Sequence, residues 1–177
     1  MKNRKYKIWI SVVLLITIEQ IIKIIINNNF LHKRFAILAP FLYFEPMFNR
    51  YYSWVTSMLQ IDLSKWIYIG IVAIMLVLIC LFYNYLNKEL GTNRNIHAMF
   101  AFICSGATCS LIDKIFWNGS LDYILVNGFF TFDLKDVYIN IFIGLLILSL
   151  LVKDSVLKQI DDKNLVKDFT KYVLRKS

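Results

Sequence analysis

Four stretches of the chain, about 8–26, 66–86, 96–116 and 137–152, are nearly uninterrupted runs of apolar residues. Each is long enough to cross a hydrocarbon layer of about 30 Å as a helix. Lipid offers the backbone no hydrogen-bond partners, so such runs must satisfy their own amides and carbonyls. A soluble domain of 177 residues, 58% hydrophobic and 18% charged, would also hold more apolar side chains than its interior can hide. The runs predict an all-α polytopic membrane protein with four transmembrane helices. They exclude a soluble dinucleotide-binding enzyme, a disulfide-rich secreted scaffold and a disordered basic tail. The start, with Lys2, Arg4, Lys5 and Lys7 before an apolar run, has the look of a secretory signal peptide. No small-residue cleavage site follows, so it reads as a retained helix.

The net charge of +8 suggests nucleic acid until the basic residues are placed along the chain. Thirteen of the 20 lie before span one, between spans two and three, or after span four. The opposite side holds Lys33, Arg34, Arg50, Lys65, Lys114 and Lys135. By the positive-inside rule both termini are expected to be cytoplasmic, with loops 27–65 and 117–136 on the outer face of the cell membrane. The basic excess is then an orientation signal, and no nucleic-acid partner is expected. Trp66 and Trp117 at the outer ends and Trp9 at the inner end fit that placement.

Residues 1–152 thus read as one membrane domain and 153–177 as a cytoplasmic basic tail. The tail interleaves Leu165, Val166, Phe169 and Val173 with Lys and Asp, which suits an amphipathic helix on anionic lipid; a solvated tail is the alternative. Cys80, Cys104 and Cys109 lie inside spans, with no CxxC pair and no histidine at ligand spacing. Neither a disulfide nor a metal is expected.

An ionisable side chain near the bilayer centre costs about 2.5–3.5 kcal/mol on insertion scales, so each one in a span needs a reason. Span one holds Glu19, Gln20 and Lys23, with the acid four residues before the base, the favourable order for a helical ion pair. Such a pair either satisfies itself, with Lys23 reaching outward, or organises a site in the outer half of the membrane. Span three ends Ser105-Gly-Ala-Thr-Cys-Ser110-Leu-Ile-Asp113-Lys114, and its small residues let another helix approach closely.

Loop 27–65 is rich in aromatic residues, among them Phe30, Phe35, Phe41, Tyr43, Phe44, Tyr51, Tyr52 and Trp54, with Pro40 and Pro46 as breakers. Phe41–Glu45 suits a strand or a segment dipping into the outer leaflet. Loop 117–136 carries two strand-like runs around Asn127-Gly128, a strong hairpin signal because both turn positions need positive φ. A small β and aromatic element is therefore expected outside the membrane. Pairing outward from a two-residue turn sets Val126 opposite Phe129 and Asp122 opposite Asp133, and Asp136 follows Asp133 by about one helical turn. Three carboxylates converge, although Asp136 also suits an N-cap of span four and Asp122 a solvated loop acid. Two carboxylates held close together cannot both ionise easily. One keeps a proton while the other stays a base, as an aspartic protease requires.

With these residues in view, the chain resembles the lipoprotein signal peptidase (signal peptidase II) family. Glu19-Gln20-Ile-Ile-Lys23 is similar to the family's D-Q-x-x-K, and Asn49 to the Asn of N-x-G-x-A-F. Gly106 to Lys114 follows G-x-x-G-N-x-x-D-R, Leu121-Asp122-Tyr123 follows V-D-F, and Phe132-Asp-Leu-Lys-Asp136 follows F-N-x-A-D. Glu19 stands for Asp, Ser110 for Asn, Lys114 for Arg, Asp133 for Asn and Lys135 for Ala, and Tyr51-Tyr52-Ser53 replaces the family's small residues.

The resemblance implies an aspartic endopeptidase that removes signal peptides from prolipoproteins before a lipid-modified cysteine, needing no cofactor or metal. Its catalytic positions fall on Asp122 and Asp136. Asp113, Lys114, Asn49 and Ser110 would hydrogen-bond the pair and the substrate backbone, with Lys23 and Glu19 bracing span one and Asp133 beside them. Substrate and membrane lipid are the implied partners. Hairpin register alone would pair Asp122 with Asp133. The alternative is a non-catalytic membrane protein, either a degenerate relative that binds lipidated peptides or a small transporter subunit.

Overall fold

The computed structural model describes residues 2–50, 64–89, 91, 94–117, 119–151 and 162–174. Tyr51, Tyr52, Ser53 and Trp54 of the aromatic loop, and residues 152–161 of the tail, lie outside them. Helices α1 (Lys2–Ile25), α2 (Lys65–Glu89), α3 (Arg94–Ile112) and α4 (Leu134–Leu151) carry the apolar runs. At the ends of α1 and α3 the coil widens into five-residue π-helical turns, Ile26–Phe30 and Asp113–Trp117. Among the described residues, four helical segments are long and apolar enough to cross a membrane.

Cross-helix contacts fix the directions. Ser105 Oγ lies 3.5 Å from the Val12 carbonyl and Lys23 reaches Asp113, so α1 and α3 run side by side towards the same end. The Tyr83 hydroxyl meets His97 at 3.1 Å and Ser149 approaches Met99, so α2 and α4 return beside α3. The third helix is the enclosed one: half of its apolar window is buried, against 22% or less for the others. Its small residues explain how. A Cβ added at Gly106 would sit 2.8 Å from Ile139 Cγ1 and 3.3 Å from the Lys135 carbonyl oxygen, closer than packed atoms tolerate. Gly106→Ala is therefore expected to push α4 away and to cost about 1–3 kcal/mol, as overpacking does. Thermal unfolding of the purified variant in detergent checks this, and an unchanged melting temperature contradicts the close approach.

At the end away from Asp113, Ile8, Val12, Tyr83, Tyr85, Leu86, Ile96 and Phe100 form a buried cluster. Helix α5 (Asp162–Leu174) lays Leu165, Phe169 and Tyr172 on it, with the Phe169 ring edge-on to Phe82 at 5.3 Å and Lys88 over the Tyr172 ring at 5.4 Å.

The opposite end carries an antiparallel sheet ordered β1-β2-β3-β4: β1 (Phe35–Leu38), β2 (Leu42–Asn49), β3 (Ser120–Val126) and β4 (Thr131–Phe132). Both long loops contribute, β2 pairing with β3. Pro46 cannot donate to the ladder, and the register slips there by one residue, between Phe44↔Ile124 and Met47↔Asp122. The slip brings Asn49 opposite Ser120.

The β3–β4 hairpin forms, but one residue out of the expected register. The Phe129 amide closes a turn on the Val126 carbonyl, and Val126 then pairs with Phe130. Gly128 takes the left-handed region, at φ +79°, and Phe129 becomes a third loop residue. Ile124 faces Phe132, so the ladder does not oppose Asp122 to Asp133. The hairpin tip is tied to the β1–β2 turn: the Asn127 amide donates to the Phe41 carbonyl at 2.9 Å and its side-chain NH₂ to the Pro40 carbonyl at 3.1 Å. Around that join Phe35, Ile37, Leu38, Phe41 and Phe129 stand exposed as an apolar ledge.

Candidate active site

Helix α4 begins at Asp133, which has just left β4. Its carbonyl accepts the first helical bond, from the Val137 amide, and its Oδ1 accepts from the Asp136 amide at 3.2 Å. Asp136 reaches back, its Oδ2 accepting from the Asp133 amide at 3.3 Å. The pair forms a reciprocal capping box with carboxylates at both positions. The N-cap is thus Asp133, and Asp136 sits three residues inside. Tyr123 completes the start of the helix, its hydroxyl oxygen accepting from the Leu134 amide at 3.2 Å.

The side chain of Lys23 has no exposed surface and does not reach outward. Its ammonium lies 2.7 Å from Glu19, 2.6 Å from Asp113 and 2.7 Å from Asp133. Gln20 donates to the second Glu19 oxygen at 2.7 Å and accepts from the Trp117 indole at 3.1 Å, which ties α1 to the π turn after α3. A second ammonium enters from the other side. Lys135 bonds Asp133, approaches Asp113 at 3.2 Å and Asp122 at 3.7 Å, and donates to Ser120 Oγ at 2.6 Å. Ser120 in turn donates to Asp122 Oδ1 at 2.6 Å. Lys114 donates to Ser110 Oγ at 2.8 Å.

Burial acts differently on the loop carboxylates. It pushes the Asp122 carboxyl above its ordinary range, with Lys135 opposing the rise. Burial also penalises the Asp133 anion, but Lys135 and Lys23 outweigh it and hold that carboxyl down at about 2. Asp133 is favoured as an anion between two cations. Oxygens of Asp122, Asp133 and Asp136 lie within 4.8 Å of one another, as do those of Glu19, Asp113 and Asp133. Lys23 and Lys135 contact members of both groups and offset part of their negative charge.

A cleft of about 860 Å³ opens over this network, lined by Asp122, Asp136, Ser120, Ser110, Lys114 and Asn49 on its polar side and by Ile71, Val72, Phe130 and Ile139 on its apolar side. Asp133, Glu19, Lys23 and Asp113 do not line it. Of the three converging carboxylates, two face the cleft and one faces the lysines. The loop after Asp113 is held tightly there, because Gly119, at φ +151°, leaves no room for a Cβ against the Asn49 carbonyl oxygen 2.8 Å away.

The expected site residues therefore fall into two layers: Asp122, Asp136, Asn49, Ser110 and Lys114 on the cleft, and Glu19, Lys23, Asp113 and Asp133 beneath it. Ser120, which the sequence reading does not single out, joins them, as does Lys135, which the sequence marks only as a departure from the family's F-N-x-A-D block. Their signal was available only as a pattern, a serine two residues before Asp122 and a lysine one before Asp136, and acquires meaning once hairpin and helix meet.

The family model for Signal peptidase (SPase) II matches residues 11–152. The chain belongs to the signal peptidase II family. It is a membrane aspartic peptidase that processes lipoprotein signal peptides, and a lipoprotein precursor is its substrate. Two solved structures, each described as a bacterial membrane enzyme determined by the in meso method, share the fold. The one at 2.3 Å resolution has a TM-score of 0.69 and 22% identity, covering 84% of this chain and 89% of that one. The one at 1.9 Å has a TM-score of 0.68 and 23% identity, covering 82% and 92%. No curated protein matches the chain. For a signal peptidase II the two-layered arrangement has a chemical sense: the cleft exposes carboxylates where a peptide can lie, and the charges beneath hold them without competing for it.

Proposed function

We propose that Asp122 and Asp136 are the catalytic pair, and that they hydrolyse the peptide bond preceding a lipid-modified cysteine at the outer face of the cell membrane, with both termini cytoplasmic. The observation that carries this reading is that these two carboxylates share the cleft while Asp133 is taken up by Lys23 and Lys135. Charge supports it too. Glu19, Asp113, Asp122, Asp133 and Asp136 face Lys23, Lys114 and Lys135, an excess of negative charge that a proton shared by the cleft pair reduces. Asn49, Ser110 and Lys114 lie along the same wall and offer hydrogen bonds to an extended backbone. The apolar wall and the exposed aromatic ledge suit the signal-peptide helix and the lipid chains.

The test is cleavage of a lipid-modified precursor by the purified protein in detergent, beside the same precursor with its cysteine unmodified. Cleavage of the first alone is expected. Equal cleavage of both removes the lipid requirement, and cleavage of neither favours a relative that binds without cutting.

A further inference from the structure

The two cleft carboxylates are not held alike. Of the carboxylate oxygens around the Ser120 hydroxyl, Asp122 Oδ1 is the nearest, at 2.6 Å against 3.2 Å for Asp133 Oδ2 and 3.3 Å for Asp113 Oδ2, so the hydroxyl proton goes to Asp122. That hydroxyl is itself polarised by the Lys135 ammonium at 2.6 Å. The ammonium stands 3.7 Å from the same oxygen. Asp136 Oδ2 has the Asp133 backbone amide at 3.3 Å. A hydroxyl donating into Oδ1 leaves that oxygen as an acceptor, and a buried cation beside it favours the anion. Lys135 cannot turn away, because Asp133 and Asp113 hold it from beneath and its side chain is 9% exposed.

We propose that Lys135, acting through Ser120, is a positioning residue that fixes Asp122 as the ionised member of the pair and leaves the shared proton on Asp136. The inference rests on the assignment of Asp122 and Asp136 as the catalytic pair. The resulting step balances. Asp122 takes a proton from water as the water oxygen bonds to the carbonyl carbon, and Asp136 gives its proton to the carbonyl oxygen. Asp122 then passes its proton to the amide nitrogen, the C–N bond breaks, and a hydroxyl proton of the collapsing diol returns to Asp136. The signal peptide leaves as an acid and the cysteine as a free amine, and the pair regains its starting state. Asp133 serves this device as the counter-charge that makes a buried lysine tolerable so close to the reacting atoms. It stands with Lys135 in a block where the family pattern has Asn and Ala.

Other titratable groups surround the site: Glu19 and Lys23 on α1, Tyr68 on α2, Asp113 and Lys114 in the π turn after α3, and Asp133 and Asp136 at the start of α4. All are left in place when Lys135 alone is replaced, so the position of the acidic limb of kcat/KM against pH isolates its effect. In Lys135→Met, Asp122 ionises less readily, and that limb is expected to move to higher pH by about one unit. Lys135→Arg keeps a cation there and is expected to keep the limb near its wild-type position. Ser120→Ala breaks the relay without unburying a charge, and a smaller shift in the same direction is expected. An unmoved limb in folded Lys135→Met overturns the proposal; if that variant does not fold, an unmoved limb in Ser120→Ala does so. Asp122→Asn, measured alongside, separates the two levels. If it is inactive while the limb stays put, only the role of Lys135 falls; if it is active, the catalytic pair falls as well.

Discussion

Asp122→Asn and Asp136→Asn should each lower the turnover of a lipid-modified precursor by about a thousandfold, within the range general acid–base groups contribute. An amide has the shape of the carboxyl but neither takes nor gives the proton the reaction needs. Neither change is expected to unfold the protein. Asn at 122 still offers an oxygen to the Ser120 hydroxyl, and Asn at 136 still offers one to the Asp133 amide, so the capping box persists. The loss should appear in kcat with the melting temperature little changed. Asp133→Asn is the contrasting variant. It keeps a capping oxygen for the Asp136 amide but removes a carboxylate shared by Lys23 and Lys135. It should lose stability and stay within about tenfold of wild-type turnover, because an amide there touches no reacting atom. Wild-type processing by Asp136→Asn would remove that residue from the reaction.

The second large effect is structural. Lys23→Met is expected to cost about 3–5 kcal/mol, the usual result of removing one partner from a fully buried ion pair. Glu19, Asp113 and Asp133 would keep their positions inside the bundle and lose the ammonium that faces all three. Such a variant should accumulate poorly in membranes, and what is recovered should melt well below the wild type. Adding Glu19→Gln removes one orphaned carboxylate, so the double variant should be more stable than the sum of the two single losses, a coupling that thermal unfolding measures directly. Additive losses, or a Lys23→Met protein that melts like the wild type, would show that the ammonium is not the centre of the network. The pH dependence has a definite sign. Asp133 is held down at about 2 from an ordinary value of 3.8, so its contribution to stability is present above about pH 4 and is lost as pH falls through 2.

How far the sequence could be read depended on the range of the interactions. The four spans were visible because burial in lipid is a local property of composition, and Glu19 and Lys23 were visible as a pair because one helical turn separates them. Their further partners were not, since Asp113 and Asp133 lie 90 and more residues away and only the packing of α1 against α3 and α4 brings them to Lys23. The hairpin could be foreseen from Asn127-Gly128 but its register could not, because the extra loop residue, Phe129, is an aromatic with no turn signature of its own. That single residue shifts the pairing: on paper a two-residue turn opposes Asp122 to Asp133, whereas in the structure Asp133 caps a helix and Asp136 lines the cleft. The strand Leu42–Asn49 was legible only in part, since Pro46 reads as a breaker although it occupies a bulge. Ser120 and Lys135 gave only a weak local sign, a hydroxyl and an ammonium being commonplace at a membrane boundary.

The two bonds between the hairpin tip and the turn at Pro40 and Phe41 join the apolar ledge to the cleft through a single short sheet. Asp122 lies on one limb of that hairpin and Asp136 just beyond the other, so the two carboxylates cannot rise or sink relative to Phe41 and Phe129 without breaking strand pairs. With those aromatic residues in the lipid interface and Asp122 and Asp136 as the pair we propose, the depth of the cut would be set by the membrane itself. A precursor would then be read first by how far its cysteine stands from the hydrocarbon.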